Sequence, residues 1–127
     1  MPTIAVLVDP PVPGAVLSNL VDDGPLSAAD AADLYAAMLA DVCEAVQQGA
    51  GELLVNFRAD DQVAEDVDVR AAVEDALADE LPRPADARYE VQVGETYAGR
   101  VGNTVTHLLE TEGVDSAAVV DPSAAFL

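Results

Sequence analysis

The chain predicts an α/β fold built on a largely parallel sheet, and three observations carry that prediction. Short aliphatic or β-branched runs alternate with longer stretches of helical periodicity, in the order strand, helix, strand, helix, strand, helix, strand. The first run, "TIAVLV" at 3–8, is apolar without alternation, as expected of a strand covered on both faces and central in its sheet. No internal repeat or low-complexity linker interrupts the pattern, so right-handed crossovers should lay helices on both faces of about four strands in three Rossmann-like layers.

Each element has its own local signals. After "DPP" stops the first strand, Ser27 stands as N-cap before "AADAADLYAAMLADVCEAVQQG", with Asp30 in the first turn and Gly49 as the stop. Leu34, Met38, Val42 and Ala45, flanked by Tyr35, Leu39 and Val46, are the expected buried stripe of this helix. "GELLVNFR" at 51–58 predicts the second strand. "DVDVRAAVEDALADELP" predicts the second helix, with Val69, Ala72, Val73, Ala76 and Leu77 inward and an end near Pro82. "ARYEVQV" at 87–93 alternates as a third strand. A third helix is expected from about Arg100 to Glu112 with Val101, Val105, Leu108 and Leu109 on one face, and "SAAVVD" is the fourth strand.

Charge bounds the partners. Twenty-four carboxylates against five arginines, with no lysine, give −19 over 127 residues. No basic patch exists to release counterions from a nucleic acid or an anionic membrane, so neither is an expected partner. Dispersed acidic groups suit a salt-loaded solvent whose Debye length is roughly 3 Å at 1 M, and the expectation is a halophilic, acidic protein. Cys43 is the only cysteine. It allows no intrachain disulfide and fits a small buried hydrophobe between Val42 and Val46 better than a nucleophile. The opening "MPTIAVLVDPP" shows no basic leader and no run long enough to cross a bilayer, which predicts a cytoplasmic protein. No HxxxH, CxxC, GxSxG or P-loop pattern supports zinc, acyl-enzyme or kinase-type chemistry. His107 alone reads as structural.

In an open parallel sheet, ligands sit beyond the carboxyl ends of the strands at the switch point. There the first loop carries "DPPVPGAVLSNL", followed by "PLSAADAADLYAAMLADV". These stretches resemble the KxPxPGxVKTRL motif and the LSxxxAAxLYxAML helix of an uncharacterised glycosyltransferase-like family in the nucleotide-diphospho-sugar transferase (GT-A) superfamily. "QVGETYAGRVGNTVTHLLETEGVDSAAVV" is similar to that family's Q-G-x-LG-x-R-x-x-N-A segment and the strand before its metal-binding acidic turn. The likeness runs in order along nearly the whole chain. It implies that residues 1–127 form one GT-A-like domain that lacks the C-terminal acceptor half of that fold. It also implies a nucleotide-sugar-dependent glycosyltransferase or a nucleotidyltransferase, such as the related guanylyltransferases of deazaflavin cofactor synthesis. A nucleotide or nucleotide sugar would bind at Asp9, Pro13, Gly14, Ser18, Asn19, Arg100 and Asn103, with Mg²⁺ or Mn²⁺ on Asp121.

Residue by residue, the first loop departs from the motif. Asp9 and Leu17 replace its two lysines and Asn19 its arginine, while Pro13, Gly14, Val16, Ser18 and Leu20 keep the backbone frame. Each lost charge-assisted hydrogen bond costs about 1.5–3 kcal/mol, so the nucleotide-binding loop is degenerate. Returning Lys at 17 and Arg at 19 should strengthen binding. In "VVDPSAAFL", Ser123 stands at the motif's aspartate and Asp121 two residues earlier. Arg100 is then the remaining phosphate ligand, at a helix start whose amides also favour an anion; a salt bridge to Glu95 or Asp9 is the competing reading. The alternative function is a non-catalytic binding or scaffold protein on the same fold. Catalytic residues are not identifiable, and an exposed fourth-strand edge with Phe126 and Leu127 predicts a homodimer or a longer polypeptide.

Overall fold

The structure is a computed structural model and describes residues 2–17, 21–22, 24–49, 51–62 and 67–123. Four strands form one wholly parallel sheet: β1 (Thr3–Val8), β2 (Glu52–Phe57), β3 (Arg88–Val91) and β4 (Ala117–Val120), in the order β3-β2-β1-β4. The chain steps outward from β1 to β2 to β3, then returns to pair β4 with the other side of β1. That reversal beside β1 is the topological switch point. Among the described residues, three longer helices connect the strands: α1 (Ala28–Gln48), α2 (Val69–Leu77) and α3 (Tyr97–Thr106), the last extended by a π-helical turn over His107–Thr111.

Alternation along the inner strands divides the core between the two faces. Val6 and Val8 of β1 and Leu53, Val55 and Phe57 of β2 point to the face covered by α1 and α2. Ala5 and Leu54 point the other way, against Leu108 of the π turn. The first face holds most of the buried apolar surface. Val69, Val73 and Leu77 enter it at successive turns of α2, as expected, each contributing roughly 1.5–3 kcal/mol.

Helix α1 starts and stops where its signals predict. The Ser27 hydroxyl accepts from the Asp30 N–H at 3.1 Å, and Gly49 donates back to the Ala45 and Val46 carbonyls. Its buried stripe is rotated by about one residue from the expected one. Tyr35, Leu39, Cys43 and Val46 are buried, Leu34 and Val42 lie on the flank, and Ala45 is exposed. Bulk decides this, because Tyr35 must reach the end of β1, where its hydroxyl accepts the Asp9 N–H at 3.0 Å.

Helix α3 differs from expectation in start and in face. It begins at Tyr97, capped by the Thr96 hydroxyl on the Gly99 N–H at 3.0 Å, three residues before Arg100. Its sheet-facing side chains are Arg100, Thr104 and Leu108; Val101 and Val105 are only half buried and Leu109 is exposed. The polar choice follows from the strand beneath. Asn56 of β2 presents an amide to this face and needs hydrogen-bonding neighbours.

Candidate functional site

A cavity of about 210 Å³ opens at the carboxyl end of the sheet, lined by Leu7, Val8 and Asp9 after β1, Arg58 after β2, Gln92 after β3, Tyr97 and Arg100 of α3, and Asp121 and Ser123 after β4. All four strand ends contribute. Two arginines and two aspartates therefore meet at the switch point of a parallel sheet.

Arg100 is held by a buried chain of amides. Its Nε donates to Gln92 Oε1 at 2.8 Å, and Gln92 Nε2 donates to the Asn56 carbonyl at 2.7 Å. Asn56 Nδ2 donates to the Glu90 carbonyl at 2.9 Å, and Asn56 Oδ1 accepts the Thr104 hydroxyl at 2.7 Å. Every link is short, and Gln92, just past β3, joins the sheet to α3. With Nε fixed, the guanidinium's remaining donors are directed at the Glu95 carbonyl, a long contact of 3.5 Å, and at the cavity. The exposed Tyr97 ring lies 5.9 Å from the guanidinium carbon.

Charge pairing separates this arginine from the other four. Arg58 pairs with Asp9, Arg70 with Glu74, Arg83 with Asp86, and Arg88 with Glu90 and Glu112. Among the described residues Arg100 has no carboxylate partner, although only 7% of its surface is exposed. Burial, and then the neighbouring Arg58 charge, push its pKa below the ordinary guanidinium value. The salt bridge to Glu95 or Asp9 that competed with the phosphate-ligand reading does not form. Nor does the Arg100 backbone offer an amide, because its N–H is bonded to the Thr96 carbonyl.

Asp9 sits across the cavity, its Oδ1 accepting from Arg58 Nη1 at 3.1 Å. Burial raises its pKa; Arg58 opposes the shift and the Asp121 charge adds to it. Asp121 Oδ1 accepts both the N–H and the hydroxyl of Ser123, at 2.8 and 2.7 Å, which fixes the turn after β4. Tyr97 is pushed up by partial burial and by its hydrogen bond and proximity to Asp121.

The other sequence-derived positions fall elsewhere. Pro13 and Gly14 occupy the corners of a turn in which the Ala15 N–H bonds the Val12 carbonyl at 3.2 Å; Gly14 has φ 88, the left-handed position that a Pro-Gly corner requires. Both residues are exposed and neither lines the cavity. Ser18 and Asn19 lie outside the described residues. Leu17, the counterpart of the motif's second lysine, is buried in the α1 face of the core with φ 52. A side chain there faces apolar neighbours, so the expectation that Lys at 17 would strengthen binding does not fit its place. Asn103 does not reach the Arg100 cavity either. Its amide donates to the Val93 carbonyl at 2.8 Å and lines a separate groove with Glu90, Val91, Val93, Thr104 and His107.

His107 is less isolated than the sequence suggested. Its Nε2 lies 2.9 Å from Glu112 Oε2, and ligand atoms of Glu90, His107 and Glu112 all fall within 4.8 Å of one another. Arg88 already bridges both carboxylates, however, and its hydrogen bond holds the Glu112 carboxyl below its usual range. This is an exposed ion-pair network. Sequence reasoning also missed Arg58, Gln92 and Tyr97 as cavity residues. The signal was available for Arg58 alone, as the cation that ends the predicted second strand.

The deciding comparison is structural. The chain superposes on the crystal structure of a protein from Desulfovibrio desulfuricans G20 provisionally described as a nucleotide-diphospho-sugar transferase, with a TM-score of 0.73 and 18% identity. The likeness is one of fold. It covers 96% of this chain and 47% of that one, so the chain spans about half the length of its structural neighbour. No family model and no curated protein matches the sequence. Among the described residues, no helix is long and apolar enough to cross a membrane.

Proposed function

We propose that this chain binds a phosphate-bearing donor, a nucleotide sugar or related nucleotide, in the strand-end cavity, as the donor-binding part of a glycosyl- or nucleotidyltransferase. One observation carries the reading: Arg100 is a buried cation that faces the cavity and, among the described residues, forms no ion pair with a carboxylate, in a protein with 24 acidic groups. An unpaired buried charge is costly unless a partner arrives, and a phosphoryl oxygen is a suitable partner for the guanidinium edge. The fold likeness to a protein described as a nucleotide-diphospho-sugar transferase supports this class of ligand, and the strand-end position is where open parallel sheets hold theirs.

A divalent cation suits the donors present. Asp9 and Asp121 supply hard carboxylate oxygens in the cavity, and Mg²⁺ or Mn²⁺ takes one or two of these together with phosphate oxygens. Bound there, it would neutralise charge on the departing phosphate. The chain's own residues do the rest. Gln92 and Asn56 hold Arg100 in place before the donor arrives, and Tyr97 offers a ring face at the mouth for a sugar or base.

Thermal-shift measurements with nucleotides and nucleotide sugars, each with Mg²⁺ or Mn²⁺ in molar potassium salt, test the reading. At least one phosphate-bearing compound should raise the melting temperature of the wild type and leave Arg100→Ala unmoved. No shift across the panel, or equal shifts in both proteins, overturns it. A compound that binds without turnover would favour the non-catalytic alternative.

A further inference from the structure

Arg58 belongs to no motif of the first loop, yet it faces Arg100 across one small cavity. It follows β2 directly, and its backbone N–H donates to the Val8 carbonyl at 3.1 Å, extending the β1–β2 ladder by one bond. Its side chain and that of Arg100 line the same 210 Å³. The two cations are close enough that Arg58 is, after burial, the leading cause of the depressed Arg100 pKa. Bringing like charges together in a part-buried space is unfavourable unless a negative group can lie between them. Asp9 is bonded to Arg58 and reaches Arg100 only as a more distant charge, and the Asp121 carboxylate is turned onto Ser123.

We infer that Arg58 and Arg100 form a two-sided clamp for a single phosphoryl group of a small phosphate ester, and that Asp9 orients Arg58 and does not itself contact the ligand. The inference rests on the donor-binding reading above and narrows it. The cation that the first loop lacks at positions 9 and 17 is supplied instead from the end of β2. Geometry favours this exchange. A guanidinium is a planar fork that can grip two phosphoryl oxygens, and an aspartate bonded to one Nη fixes the plane of that fork. The enclosed space is smaller than the roughly 300 Å³ at which pockets for drug-sized ligands begin. It therefore suits the phosphoryl group and the atoms next to it, with the rest of the ester passing Tyr97 at the mouth. Tyr97 is 48% exposed and sits there already.

Calorimetry with inorganic phosphate and with glucose 1-phosphate, in molar potassium glutamate and without divalent cations, separates the clamp from a structural Asp9–Arg58 pair. Arg58→Gln should weaken both probes at least tenfold, about 1.4 kcal/mol. Asp9→Asn should strengthen both, because the amide oxygen still accepts from Arg58 while the negative charge facing the phosphoryl group is removed. Arg70→Gln, at a surface pair with Glu74, should change neither. If Arg58→Gln fails to fold, Asp9→Asn carries the test alone. Unchanged affinity in Arg58→Gln, or weaker binding in Asp9→Asn, overturns the clamp. Should Arg100→Ala still abolish nucleotide-dependent thermal shifts in that case, the donor-binding reading stands without it. Absence of binding by phosphate, glucose 1-phosphate and the whole nucleotide panel removes both.

Discussion

Asn56 is a buried polar residue near the carboxyl end of an inner strand, and three neighbours depend on it: the Glu90 carbonyl, the Thr104 hydroxyl and, through its own carbonyl, Gln92. Asn56→Leu keeps the bulk and strands Thr104, so it should destabilise the fold by about 1–3 kcal/mol in urea titrations. It should also loosen Arg100 and weaken phosphate binding, whereas a purely structural Asn56 would lose stability alone. Leu17→Lys, drawn from the motif comparison, should lower the melting temperature without gaining affinity, because the side chain points into the core. Cys43 gives a pH signature. Burial pushes its thiol up to about 12 from the ordinary 9.0, so the unfolded chain releases its proton first. The stability tied to the buried thiol is thus full below about pH 9 and declines as the pH rises towards 12. The stability difference between wild type and Cys43→Ala should shrink between neutral pH and about pH 10; a constant difference would mean that the thiol is not buried in solution.

At the scale of elements, the strands and α2 were legible because hydrophobic periodicity reports them directly, and the Ser27 and Gly49 signals marked both ends of α1. The register of the α1 stripe was not legible, since alanine-rich helices offer several apolar faces and only the reach of Tyr35 to the Asp9 N–H selects one. The site was legible in its location at the strand ends, and less so in its residues. Sequence spacing placed Arg100 at a helix start and grouped it with Asn103, but the cap at Thr96 puts Arg100 a full turn inside α3, and Asn103 turns towards Val93. Just before that cap the backbone passes close to α3 at Gly94, with φ 127, where a Cβ would come within 3.1 Å of the Arg100 nitrogen. Gly94→Ala combines a strained backbone with this close approach. It should cost at least about 1 kcal/mol and, by shifting the start of α3, weaken phosphate binding more than Gly102→Ala, which has open space around its Cβ. Equal effects of the two substitutions on binding would show that the position of the α3 start does not matter.

Over the whole molecule a net charge of −19 repels both the folded chain from itself and any anion from its cavity. Salt relieves the two repulsions together. The Debye length falls from roughly 10 Å at 0.1 M to 3 Å at 1 M, which silences carboxylates spread over the surface, whereas contacts inside a part-buried cavity are screened much less. An ordinary exposed arginine site loses phosphate as salt rises, because its only attraction is the one being screened. The opposite should hold here. Melting temperature should climb with potassium salt, and affinity for phosphate should rise severalfold between roughly 0.1 and 1 M potassium glutamate. Chloride, small enough to enter between Arg58 and Arg100, should blunt the rise in affinity but not the rise in melting temperature. Affinity that falls with glutamate as steeply as with chloride would mean that phosphate meets exposed charges and not the clamp. A melting temperature indifferent to salt would mean that the dispersed carboxylates do not limit the stability of this fold.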